Sequence, residues 1–156
     1  MFVKKSSRNK ARGIGLLELM LSLAIIAILL VMATRYFITA NESQKVNNAI
    51  SIIHGIAGGA ANYRNAHNGY TNMSTATLVT EHYIPSSFGG SAGAGAGANP
   101  WGGNITTSVV GSGFTVDLSG ISNNATCLKV AGMINGAENN SADCATNPTT
   151  LHVVFH

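Results

Sequence analysis

Thirteen side chains could do chemistry, and almost none of them stand together. The five histidines are His54, His67, His82, His152 and His156. His54 and His67 fall thirteen apart in a helical pattern. His82 sits in a connection. His152 and His156 share a strand face but lie too far apart to chelate one metal alone. The six acids are Glu18, Glu42, Glu81, Asp117, Glu138 and Asp143, and they form no paired-carboxylate motif. No HExxH occurs. No nucleophile, base and orienting group can be named together. The sequence therefore predicts no enzyme, no cofactor and no metal site. One group stays anomalous: Glu18 lies five residues into an apolar run, IGLLELMLSLAIIAILLVMA, residues 14–33. A carboxylate in lipid costs roughly 2.5–3.5 kcal/mol at a helix centre, and less near an end. It must be paired, neutralised or snorkelled to the interface.

The element carrying Glu18 is legible from composition. Twenty residues with one charge make a helix about 30 Å long, one hydrocarbon core. Lys4, Lys5, Arg8, Lys10 and Arg12 precede it and supply five of the nine basic residues. By the positive-inside rule this head stays cytoplasmic. A secretory signal peptide has a similar head, but this run is longer than a usual h-region and MATRYFITAN lacks a small-x-small cleavage site. A plain membrane anchor would leave Glu18 without a reason. From Ile14 onward four cations face six acids, so the net charge of +3 belongs to the head. Scattered cations in the body argue against direct nucleic-acid binding.

Cys127 and Cys144 are an even pair behind an export-type N-terminus, which reads as a disulfide closing a loop of about 17 residues. Two free thiols in a reducing compartment are the alternative.

RG, then IGLLELMLSLAIIAILLVMA, resembles the class III signal of type IV prepilins: a basic leader ending in Gly, a hydrophobic residue, three further positions, Glu, and an apolar helix. The resemblance implies cleavage by a prepilin peptidase between Gly13 and Ile14, with N-methylation of Ile14 by the same peptidase/methyltransferase. It also implies that Glu18 meets the Ile14 ammonium of a neighbouring copy, so that neither charge is buried alone. Several details depart from the commonest pattern. The first mature residue is Ile, the leader is long, and Arg35 stands where many type IVa pilins carry Pro. These are more similar to type IVb pilins, of the conjugative thin-pilus or bundle-forming kind.

Beyond the apolar run, Phe37, Ile38, Val46, Ala49, Ile50, Ile53, Ile56, Ala57, Ala60 and Ala61 recur at spacings of three and four. This predicts one helix from about Gly15 to about Asn65, oily all round at first and one-sided later. Gly55, Gly58 and Gly59 would let a sheet approach the backbone, or let the helix bend. Asn68-Gly69 marks its end. Residues 70–104 read as irregular, with a flexible glycine-rich surface loop at 88–103 whose end Trp101 pins to the domain. Residues 104–110 and 114–120 predict a hairpin with a three-residue loop, 122–134 a short helix, 135–148 a loop, and 149–156 a strand with Leu151, Val153 and Phe155 on one face.

The expected fold class is α+β: a long N-terminal helix packed on a small antiparallel sheet, pilin-like, with a C-terminal disulfide-bounded region. The expected domains are a leader (1–13), a transmembrane and assembly half-helix (14–34), an amphipathic half (35–68) and a periplasmic or extracellular globular domain (69–156). Function by resemblance is a structural pilin, the major one, in a type IV pilus for adhesion, cell–cell contact or conjugation. Its partners would be other copies of itself in a helical homopolymer, the peptidase, the pilus assembly platform and ATPase, the inner membrane before assembly, and host or recipient surfaces. It would begin as a single-pass inner-membrane precursor and end on the cell surface. The alternatives are a type II secretion pseudopilin, a minor pilin, and a membrane-anchored periplasmic binding module that never polymerises.

Overall fold

The computed structural model describes residues 15–89, 95–135, 140–144 and 149–156. Its elements run α1 (Leu16–His67), α2 (Thr75–Thr80), a 3-10 turn (Ser86–Gly89), β1 (Ile105–Val110), β2 (Gly113–Leu118), α3 (Asn124–Ile134), β3 (Asn140–Asp143) and β4 (Leu151–Phe155). The expected α+β class is observed. The chain divides into two units, Met1–Ala40 and Asn41–His156.

In the first unit, residues 16–39 of α1 are exposed on every side. The serine and threonine hydroxyls in this stretch bond back to their own helix: Ser22 Oγ to the Glu18 carbonyl (2.8 Å), Thr34 Oγ1 to Val31 (3.0 Å) and Thr39 Oγ1 to Arg35 (3.1 Å). Those three polar groups thus make no demand on an apolar surround. Phe37 and Ile38, expected on the buried face, are 70% and 63% exposed. They extend the oily stretch rather than begin the one-sided one.

In the second unit α1 buries Val46, Ala49, Ile53, Ile56, Gly59, Ala60 and Tyr63, the one-sided stripe that a 3.6-residue period requires. Ala61, expected there too, is exposed. The helix stops because Asn68 turns left-handed (φ 55°) and the Gly69 N–H reaches the Arg64 carbonyl at 3.1 Å.

The sheet is antiparallel, in the order β1-β2-β4-β3. Phe114, Val116 and Leu118 of β2 and Leu151, Val153 and Phe155 of β4 point into the core that holds the α1 stripe. Register fixes Val116 opposite Val153 and Leu118 opposite Leu151, and Phe114 stacks on Phe155. α3 starts at Asn123, whose Oδ1 accepts from Thr126 N–H at 2.9 Å. It buries Cys127, Val130, Ala131 and Ile134. Cys127 is disulfide-bonded to Cys144, with Cα atoms 6.2 Å apart.

Four expectations fail for local reasons. The hairpin loop is two residues, not three: Gly111 takes φ 59°, Ser112 follows, and Gly113 already pairs with Val110. The segment 70–104 is not wholly irregular. Thr75–Thr80 is helical although its residues are mostly β-branched, because Ser74 Oγ accepts from Thr77 N–H and buried Thr75 accepts from Thr107 N–H, each at 3.1 Å.

Residues 95–103 of the glycine-rich stretch are stitched in rather than loose. Gly95 bonds both Gly89 and Ile105, and the buried Asn99 side chain accepts from Trp101 and Gly103 N–H and donates to Ser119. A Cβ on Gly95 would lie 1.8 Å from the Ile105 carbonyl oxygen, so only glycine fits. Residues 90–94 of this stretch lie outside the described residues. Finally, β3 lies where a loop was expected. NSAD has poor strand propensity, but β4 supplies a ladder and the Asn135 side chain brackets Ala142 at both its N–H and its carbonyl.

Candidate functional site

Glu18 lies in the first turn of α1, where a carboxylate favours the positive end of the helix dipole. Its N–H donates to the Gly15 carbonyl at 3.0 Å. The turn around it is oily and open: Leu16, Leu17 and Met20 are 75%, 82% and 62% exposed. Gly13 and Ile14, the expected cleavage and methylation positions, lie outside the described residues, so the expected Ile14–Glu18 pairing has no geometry here.

The character of the stretch around Glu18 is nevertheless clear. An 18-residue window of α1 has a mean hydropathy of 2.7, and none of it is buried. A helix apolar on all sides needs lipid or other helices around it. Among the described residues, none covers the surface to which Glu18 belongs.

The histidines do not converge. His67 stacks on Tyr63 (centroids 4.1 Å apart) and approaches Glu81 at 3.5 Å. His152 pairs across the sheet with Asp117, directly opposite it in register. His54, His82 and His156 are exposed. Among the described residues, no group of three His, Cys, Asp or Glu side chains could hold a metal.

One polar junction escaped the sequence reading. Trp101 does pin its loop, and the anchor is Glu42. The indole N–H donates to Glu42 Oε2 at 3.1 Å and Ser122 Oγ donates to Oε1 at 2.8 Å. One carboxylate near the start of the second unit thus ties down the glycine-rich connection and the approach to α3. Partners 59 and 80 positions away leave no local signal.

The glycines also act differently from expectation. No sheet rests on them. A Cβ on Gly59 would meet Ile84 Cγ2 at 2.3 Å and the Tyr83 carbonyl oxygen at 2.9 Å, while one on Gly55 would meet the Phe88 ring at 2.7 Å. The segment after α2 lies against the helix here. Gly58 faces open space.

Comparison with known proteins agrees with both units. The model of the PilS N-terminal domain matches residues 40–153. The prokaryotic N-terminal methylation motif matches residues 8–34, a span that contains Gly13, Ile14 and Glu18. No curated protein and no solved structure matches the chain significantly.

Proposed function

Because this chain belongs to the type IV pilin family, through a PilS N-terminal domain and a methylation motif, we propose that it is the major structural subunit of a surface fibre. Family members are in general structural rather than enzymatic, and the apolar helix with its prepilin signal fits a membrane-anchored precursor. On our reading, residues 1–13 are removed, Ile14 is methylated, and residues 14–34 leave the bilayer to pack against the same segment of other copies. The second unit then faces outward and meets other cells or surfaces, serving adhesion, cell–cell contact or conjugation. The peptidase, assembly platform and ATPase are separate proteins.

The observation that carries this reading is the wholly exposed apolar stretch of α1 with a single acid near its start. The same residues suit two surrounds in succession. Lipid accepts them before assembly, and parallel copies accept them afterwards. Cleavage converts the Ile14 nitrogen from a neutral amide to an ammonium, a counter-charge for Glu18 that the uncut chain lacks.

The mass of protein sheared from cells tests this. The proposal expects a chain that begins at methylated Ile14, with the Cys127–Cys144 bridge intact. Glu18→Ala should still be cut, yet should lower fibre yield at least tenfold. Shed protein that retains its first thirteen residues and runs as a monomer would rule the proposal out.

A further inference from the structure

Between Ile14 and Asn41 the sequence holds two side chains charged at neutral pH, Glu18 and Arg35. Both are exposed, and neither side chain has a hydrogen-bond or ion-pair partner among the described residues. The serine and threonine hydroxyls of the same stretch are satisfied within their own helix, as described above, and the Tyr36 side chain is exposed. Among the described residues, the unpaired charge of this surface is thus one acid and one base. They sit seventeen positions apart, which is about 25 Å along the axis and roughly 100° around it. One helix cannot bring them together.

Two copies can, in a restricted set of ways. Side by side at equal height, the charges stay about 25 Å apart. Antiparallel copies would satisfy both pairs at once and close as a dimer. The basic head excludes that, because it holds every copy in one orientation across the membrane. Parallel copies offset along the axis remain.

We propose that Arg35 of one copy receives Glu18 of a second copy displaced outward by about 25 Å. This rests on the fibre reading above, and gives Glu18 a partner besides the Ile14 ammonium.

The offset has a physical meaning. It is close to the thickness of a hydrocarbon core, about 30 Å. While copies sit at equal depth, Glu18 lies near the inner interface and Arg35 near the outer one, each within reach of water. Lifting one copy carries its Glu18 across the core and delivers it to the level of Arg35 on a copy still seated. A guanidinium stays charged there and can take a carboxylate with two parallel hydrogen bonds. The lifted copy's own Arg35 has meanwhile risen to the level of Glu18 on a copy lifted earlier. Each chain therefore makes one such contact above and one below, on different sides of the helix. A head-to-tail contact of this kind does not close on itself and propagates as a filament.

The test uses sheared fibres of the full chain carrying Arg35→Lys, treated with a water-soluble carbodiimide. The reagent activates a carboxylate, an adjacent amine displaces it as a urea, and an amide forms. The native cysteines are bridged and do not interfere. The expected result is a ladder of covalent oligomers whose digest joins the peptide containing Glu18 to the one carrying the new amine. Arg35→Ala should lower fibre yield at least tenfold with normal leader cleavage, and Arg35→Lys should keep at least a third of it. Normal Arg35→Lys fibres without that link, or Arg35→Ala fibres at wild-type number, overturn the pairing alone. Absence of fibres from the wild-type chain overturns the fibre reading and the pairing with it.

Discussion

The two stretches of α1 solve opposite problems with similar residues. Residues 16–39 are apolar on every side and bury none of them, whereas residues 46–63 bury one stripe inside their own unit. In the second stretch the complement of each buried side chain comes from the same chain: the sheet, α3 and the segment after α2. In the first, no described residue of the chain supplies it. One stretch is therefore covered by folding, and the other needs lipid or other helices around it. That division makes a substitution of the same chemistry read out differently in each.

The largest effect should come from Ile53→Ala, since Ile53 is fully buried. It should destabilise the second unit by about 2–5 kcal/mol in denaturant melts. Ile25→Ala, at a residue 51% exposed, should leave those melts unchanged and lower only fibre yield. Equal effects on melting would erase the distinction.

Removing the disulfide with Cys144→Ser comes next, at roughly 3 kcal/mol for a loop of this length, and again within the second unit alone. Smaller and sharper is a pair of neighbours on the helix. Gly59→Ala should cost about 1–3 kcal/mol, because its methyl would collide with Ile84 and the Tyr83 carbonyl. Gly58→Ala should stabilise by up to about 1 kcal/mol, since its position is open and alanine favours the helix. If both substitutions stabilised, the segment after α2 would not lie against the helix as described. The smallest expected loss, about 1 kcal/mol, follows Glu42→Ala, which leaves the Trp101 and Ser122 donors without their acceptor. Trp101 is the sole tryptophan, so its fluorescence should shift towards that of a solvated indole.

What could be read in advance followed from signals that repeat. The run from Ile14 to Ala33 declares itself by composition, and Val46, Ala49, Ile53, Ile56 and Ala60 by period. Leu151, Val153 and Phe155 alternate, as a strand with one buried face must. The misses have the opposite character. TATLVT becomes α2 through contacts at Thr75 and Leu78 that no helix propensity foretells. NSAD becomes β3 because β4 and Asn135 hold it. Gly95 and Asn99 turn a low-complexity stretch into a stitched connection, through bonds to Ile105 and Ser119 that only the folded chain creates. At the candidate site, Glu18 was conspicuous as a charge out of place, whereas Glu42 looked like any acid on a polar helix face. The difference is that the demand of Glu18 is local and visible, while the partners of Glu42 are distant in sequence.

Methionine oxidation offers the most direct measurement of where the first stretch of α1 ends up. Four methionines sample the contrast: Met20 and Met32 in the exposed apolar stretch (62% and 64% exposed), Met73 in the core (4%) and Met133 on α3 (50%). In peroxide-treated fibres, analysed by mass spectrometry, the account predicts that Met20 and Met32 oxidise as slowly as Met73 while Met133 reacts readily. Met20 and Met32 oxidising as fast as Met133 in intact fibres would contradict it.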